Sequence, residues 1–356
     1  MGNVPNLRFP EFSGEWKKCT IDDLCEEFKS GKNIKADNIL NEGEYPVFGG
    51  NGLRGYTDCY NHEGDYVLIG RQGALCGNIR FVTGKTYITE HAIAAKATNN
   101  NNTRFLESLF IQLNLGKFSD QSAQPGLAVN KLLKIETSVP SKDEQEKIAS
   151  LLQNIDKRIA TQNKIIEDLK KLKSAIYQKL FSDLQGEERS LSELAEIIKG
   201  QQINGSELSE SGKYYVMNGG IAPSGYHDCY NTEADTISIS EGGNSCGFVQ
   251  YNRSEFWSGG HCYTLRIKPA ASILTPFLFH FLKWKEPDIM ALRIGSGLPN
   301  IQKKDLSKVR IILPTLDEQQ QLIALLTTFL MKIGNEEDYV VSLDKQKQYL
   351  LSQMFI

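Results

Sequence analysis

The chain contains itself twice. Residues 45–95 align without a gap onto residues 215–265 at a constant offset of 170, with 16 identities in 51 positions. The densest stretch sets Gly55-Tyr56-Thr57-Asp58-Cys59-Tyr60-Asn61 against Gly225-Tyr226-His227-Asp228-Cys229-Tyr230-Asn231. A second block repeats at offset 174: Pro140-Ser141-Lys142-Asp143-Glu144-Gln145 against Pro314-Thr315-Leu316-Asp317-Glu318-Gln319. Each copy of that block opens a long heptad run. A duplicated globular unit followed by a duplicated long helix predicts a two-lobed molecule with pseudo-twofold symmetry. Such an object suits a ligand that is itself long and roughly symmetric, and duplex DNA is the first candidate.

Charge argues the other way. The net charge is −3, whereas phosphate contacts usually leave a basic footprint. Residues 1–140 carry 15 basic and 16 acidic side chains, and residues 186–313 carry 13 and 14. Only residues 141–185 are basic, at 9 against 7. If DNA is the ligand, the positive field is local or supplied by a partner.

The 356 residues suffice for two or three domains, each with its own core. The longest apolar run, Ile273 to Leu282, is too short for a membrane span and holds Pro276 and His280. The N-terminus has neither the basic region nor the apolar core of a signal peptide. Seven cysteines, an odd number, fit reduced thiols better than a disulfide framework. These features predict a cytoplasmic protein with no membrane partner.

After Pro140 the texture changes. Ile148, Leu152, Ile155, Ile159, Ile166, Leu169, Leu172, Ile176 and Leu180 fall mostly in alternating steps of four and three, a coiled-coil seam. Ser141 with Glu144 predicts a capping box at its start. Uninterrupted as far as Gly186, the helix would hold about 38 residues and measure roughly 57 Å. The second seam runs Leu322, Leu326, Phe329, Ile333, Val340, Leu343, Leu350 and Met354, with Gly334-Asn335 as a point of bending or fraying. Two matched seams predict helices that pack on each other, antiparallel because a globular unit lies between them.

The globular units read as α+β, about 130 residues each. Short β-rich runs such as Tyr45-Pro46-Val47-Phe48, Tyr66-Val67-Leu68-Ile69 and Thr236-Ile237-Ser238-Ile239 are separated by Gly/Asn clusters. Each unit opens with a short amphipathic helix, around Ile21-Leu24-Phe28 and Leu191-Leu194-Ile198, and closes with a more helical stretch before a final strand. The boundaries are 1–140 and 186–313 for the globular units, and 141–185 and 314–356 for the helices.

Gly50-Asn51-Gly52-Leu53-Arg54-Gly55 is a literal GxGxxG, and Phe48-Gly49-Gly50-Asn51-Gly52 mimics the FxGxG of S-adenosylmethionine binders. That chemistry needs a helix N-terminus after the glycines, and none is signalled. The second copy has Ala222 in place of Gly52, followed by Pro223. A glycine-rich connection between strands accounts for the motif better. Cys59, Cys76 and His91 recur as Cys229, Cys246 and His261, with 16 and 14 residues between them. Zinc ligands normally come in closer pairs, so buried thiols and an ordered core histidine are expected, and no metal. No nucleophile triad stands out.

Two polar, glycine-rich loops occupy equivalent places in each unit: Gly49 to Gly55 with Gly219 to Gly225, and Gly70-Arg71-Gln72-Gly73-Ala74 with Ser240-Glu241-Gly242-Gly243-Asn244. Their flanks are shared and their tips differ. A common scaffold with divergent tips is what two readers of different sequences require; drift in solvent-exposed loops would look the same. Arg and Gln bond bidentately to guanine and adenine edges, and Glu accepts from cytosine N4. The candidate DNA contacts are Asn51, Arg54, Arg71 and Gln72 in the first unit, and Ser224, Glu241, Asn244 and Ser245 in the second.

On these features the chain resembles the specificity subunit of type I restriction–modification systems over essentially its full length. The most specific elements are Leu7-Arg8-Phe9-Pro10-Glu11-Phe12 with Gly14-Glu15-Trp16, and the Pro-x-x-x-Glu-Gln signature at Pro140/Glu144-Gln145 and Pro314/Glu318-Gln319. The resemblance implies two target-recognition domains separated by two long antiparallel coiled-coil helices, each domain reading one half of a split DNA site. It further implies that the helices set the spacing and dock two methyltransferase subunits, with Glu144, Gln145, Glu318 and Gln319 as candidate partner-binding residues. A restriction/motor subunit joins for cleavage. The chain itself would be non-catalytic and free of cofactors, with S-adenosylmethionine and ATP/Mg on the partner subunits. One departure is expected: Gly297-Leu298-Pro299-Asn300 begins nine residues before Leu306, and Gly126-Leu127 only six before Leu132, so a loop is shorter in the first domain. The competing class is a coiled-coil scaffold with two protein- or glycan-binding lobes, which would show no DNA-dependent behaviour. A third, an S-adenosylmethionine enzyme, lacks any Asn-Pro-Pro-Tyr/Phe or Asp-Pro-Pro-Tyr/Phe motif.

Overall fold

Runs rich in Val, Ile and Tyr, cut by glycine, become the strands of each half. The computed structural model describes residues 3–119, 126–295, 297 and 299–356. It falls into two units, residues 1–164 with 338–356 and residues 165–337.

In the first unit β1 (Lys17–Thr20) leads through one helical turn, α1 (Ile21–Leu24), into β2 (Cys25–Ser30). The helix expected through Phe28 therefore stops at Leu24. Thr20 and Asp23 cap that single turn, and the backbone of Phe28 is claimed by a strand ladder instead. There follow β3 (Tyr45–Gly49), β4 (Gly52–Thr57), β5 (His62–Glu63), β6 (Tyr66–Gly70), β7 (Ile79–Val82), β8 (Lys85–Ile88) and β9 (Ala92–Ala97). They form two sheets, β2-β9-β6-β7 and β4-β3-β8-β5. Alternation along β6 joins them. Val67 and Ile69 face a core with Phe105, Leu106 and Phe110 of α2 (Thr103–Leu113), while Tyr66 and Leu68 face Ile88 and Phe48 of the second sheet. After α3 (Val129–Leu132), β10 (Glu136–Val139) pairs antiparallel with β1 and delivers the chain to α4 (Lys142–Ser182).

The second unit repeats this order. It runs β11 (Glu187–Ser190), α5 (Leu191–Leu194), β12 (Ala195–Lys199), β13 (Tyr214–Met217), β14 (Gly225–His227), β15 (Thr236–Ser240), β16 (Val249–Asn252), β17 (Trp257–Ser258) and β18 (Cys262–Ile267). Then come α6 (Thr275–Trp284), α7 (Glu286–Ala291), α8 (Lys303–Leu306), β19 (Arg310–Leu313) and α9 (Leu316–Met354). Ile198, like Phe28, lies in a strand and not in the opening helix. Register repeats as well as sequence: Val67 pairs with Ala95, and Ile237 with Leu265.

Both long helices are shared between the units. In the first, Ile148, Ala149 and Leu152 of α4 join a core with Leu351 and Met354 of α9 and with Phe355 just after it, and Lys347 pairs with Asp156 at 2.5 Å. In the second, Tyr177 and Phe181 of α4 join a core with Leu326 of α9, and Lys170 pairs with Glu337. Partner numbers fall as α4 numbers rise, so the segments run antiparallel within each unit. Helix α9 continues through Gly334-Asn335. The first seam drifts, leaving Leu172 49% exposed, and Tyr177 and Phe181 are buried one position beyond the expected Ile176 and Leu180.

Candidate nucleic-acid interface

The two Pro-x-x-x-Glu-Gln signatures hold their glutamines alike and their glutamates differently. Gln145 accepts the Asn102 N–H at 2.9 Å and donates to the Pro140 carbonyl and the Asn101 side chain. Gln319 accepts the Leu274 N–H at 2.9 Å and donates to the Pro314 and Ser272 carbonyls. Both are buried and fasten the helix start to the loop before the unit's main helix. Glu318 caps α9 by bonding Thr315 at its N–H and hydroxyl. The matching box expected of Ser141 and Glu144 gives way to a bond with Arg8, which takes both oxygens of the buried Glu144. Of the four residues, Glu318 alone lies on the surface.

The polar loops repeat at the level of backbone hydrogen bonds. The Arg71 N–H donates to the His91 carbonyl at 2.9 Å, and the Glu241 N–H to the His261 carbonyl at 2.9 Å. The Arg71 carbonyl accepts the Leu127 N–H and the Cys76 thiol, and the Glu241 carbonyl accepts the Ile301 N–H and the Cys246 thiol. The repeated cysteine at 76 and 246 is thus a thiol holding the loop. The rest of that expectation is corrected: Cys59 and Cys229 are exposed, and the His91 and His261 side chains are 47% and 62% exposed, because the backbone carbonyl is the part used. Among the described residues no His/Cys/Asp/Glu group is placed to hold a metal ion. The same bonds correct the loop-length expectation. Gly126-Leu127 corresponds to Asn300-Ile301, and α3 to α8, all at offset 174, so nothing is shortened between them. Leu298 lies outside the described residues.

In the first unit the stretch Gly49 to Gly55 is a β3–β4 hairpin with only Gly50-Asn51 at its tip, so Arg54 sits on a strand. A Cβ on Gly50 would lie 2.6 Å from the His91 carbonyl oxygen, so this glycine lets the tip close against the Arg71 loop. Gly52 has φ +107° and lies under the Arg80 guanidinium. Arg54 and Arg80 are exposed and Arg71 half-buried. Among the described residues none of the three pairs with a carboxylate. Unpaired guanidiniums around one hairpin are the local positive field that the net charge conceals. Asn51 is exposed at the tip, and the exposed Gln72 bonds His91 Nδ1 at 3.3 Å. Arg80 has no Arg counterpart in the second copy, where Gln250 stands, and the repeat did not single it out.

The second unit presents different chemistry on the same frame. Ser224 is exposed at the foot of β14 and Asn244 at the loop tip. Ser245 donates to the Gly219 carbonyl at 2.6 Å. Glu241 is turned inward, its side chain 11% exposed, and its Oε1 accepts Lys199 Nζ at 2.7 Å and the Tyr263 hydroxyl at 3.0 Å. Lys199, 42 residues away in sequence, carried no local signal. No helix among the described residues is long and apolar enough to cross a membrane.

Comparison with known proteins gives one family. The sequence model of the type I restriction modification DNA specificity domain matches residues 13–171 and again 185–339. The chain is 40% identical to the Escherichia coli type I restriction enzyme EcoprrI specificity subunit over 154 residues, which is 42% of this chain and only 38% of that protein. A putative type I specificity subunit of Mycoplasma genitalium is 26% identical over 83% of this chain and 82% of its own length. In fold, the crystal structure of the type I restriction-modification system S subunit from M. genitalium superposes with a TM-score of 0.72 at 23% identity, covering 99% of both chains. A duplicated α+β unit, duplicated long helices and two matches to one domain agree, and the chain belongs to the family of the type I restriction modification DNA specificity domain.

Proposed function

We propose that this chain is the non-catalytic DNA-reading subunit of a type I restriction–modification complex, each unit reading one half of a bipartite, asymmetric target. The observation that carries this is the pair of loops at Arg71 and Glu241. They share the same pattern of backbone donors and acceptors, at offset 170 within the loop and 174 for the residue that closes it, yet they present unlike side chains. A fixed frame with exchanged tips changes what is read without changing where it is read.

The long helices set the distance between half-sites and dock two methyltransferase subunits; motor/endonuclease subunits join for restriction. S-adenosylmethionine and ATP with Mg belong to those partners, which also provide most of the phosphate attraction that a net charge of −3 cannot. The complex acts in the cytoplasm, where the chromosome lies. The test is a salt titration of duplex binding, by the chain alone and with its methyltransferase partner. Weak, steeply salt-dependent binding alone and tight sequence-specific binding in the complex are expected. Tight specific binding by the chain alone at moderate salt would contradict the division of labour.

A further inference from the structure

We propose that Lys199, held in place by Glu241, is the side chain through which the second unit reads a guanine edge, given the DNA-reading role above. Glu241 stands where Arg71 stands in the first unit, at the end of the same backbone bonds. As a cytosine acceptor it would need an open oxygen facing the groove. Its Oε1 is instead occupied by Lys199 and Tyr263, its Oε2 lies 3.9 Å from His261 Nδ1, and the side chain is 11% exposed. An unneutralised carboxylate there would also repel phosphates.

Lys199 has the opposite disposition. It is 56% exposed, and its strand β12 pairs in register with Tyr263 of β18. An ammonium carries three donors, and Glu241 takes one of them. The same station is therefore cationic in both units, by one residue in the first and by a lysine leaning on a buried carboxylate in the second. Guanine O6 and N7 are the paired acceptors such a cation addresses in the major groove. A lysine that only met phosphate would not need a buried carboxylate, itself held by the Tyr263 hydroxyl, to fix its ammonium. Glu241 is thus a positioning residue, and Lys199 the reader.

The experiment uses the full chain assembled with its methyltransferase partner, and duplex oligonucleotides carrying the target or single base-pair changes in it. Lys199→Met is expected to lose about 10-fold or more of the discrimination at one G·C pair of the second half-site, with the first half-site unaffected. Lys199→Arg should keep the preference for guanine. Glu241→Gln should blunt discrimination at that same pair and no other. A uniform loss of affinity across all duplexes with a shallower salt dependence would make Lys199 a phosphate contact and overturn the proposal. Unchanged discrimination would overturn it too. A wild-type complex without preference at either half-site would overturn the DNA-reading role itself.

Discussion

Arg8 grips Glu144 through two parallel bonds, Nε to Oε1 at 2.8 Å and Nη2 to Oε2 at 2.7 Å, with the Glu144 side chain 1% exposed. The pair ties the N-terminal segment to the first turn of α4. Removing the arginine leaves a buried carboxylate without its partner, which costs about 3–5 kcal/mol. Arg8→Ala should lower the urea midpoint and raise amide exchange in the first unit only. Arg8→Met with Glu144→Leu, which removes both charges, should recover most of the loss.

Gln319, itself buried, bonds three backbone groups: the Leu274 N–H, the Ser272 carbonyl and the Pro314 carbonyl. Gln319→Ala orphans the Leu274 N–H and two carbonyls and should cost about 1–3 kcal/mol. Glu318→Ala, on the surface one residue earlier, removes only the bonds back to Thr315 and should cost less. Thermal melts of the two variants should rank in that order, and the reverse ranking would mean the buried glutamine is not what holds the helix start.

His280 sits buried with its Nδ1 2.7 Å from the Tyr177 hydroxyl, and burial, aided by the charge of Lys173, pushes it down to about 4. The unfolded chain takes this proton near the ordinary histidine value, about 6.5, and the folded one does not. Stability of the second unit should therefore fall as pH drops from about 6.5 to 4, by up to about 3 kcal/mol, and level off below. His280→Gln, which keeps an acceptor for Tyr177, should flatten that slope in urea midpoints taken across the window. An equally steep slope in the variant would place the titrating group elsewhere.

Gly77 has φ +86°, and a Cβ there would lie 2.3 Å from the Gly116 backbone. Its repeat, Gly247, has φ +92° and meets Met290 at 2.8 Å. Gly64 and Gly84 also have positive φ, at +106° and +79°, but face open space. Gly77→Ala and Gly247→Ala combine backbone strain of about 1–2 kcal/mol with a clash, whereas Gly64→Ala and Gly84→Ala carry the strain alone. Melting temperatures should separate the two pairs.

The duplication, the two helices and many of the strands were legible because identity and period survive in the chain: Tyr66 to Ile69 reads as apolar and is buried on both faces. Local signals failed where a distant partner decides. Phe28 and Ile198 fit a helical spacing, but strands β9 and β18 claim their backbones. Ser141 and Glu144 have the spacing of a cap, yet Arg8, 136 residues away, takes the carboxylate. The inward turn of Glu241 depends on Lys199, and no pattern within the loop announces it. Loop chemistry could therefore nominate Arg71 and Asn244, but only folding shows which charges are already spent.

The most direct test of two independent readers is to map methylated adenines in a host carrying this chain with its methyltransferase, before and after residues 45–95 are exchanged for those of another family member. One half-site should change, while the other half-site and the spacing between them stay fixed. A change in both half-sites, or in neither, would contradict the assignment of one unit to each half of the target.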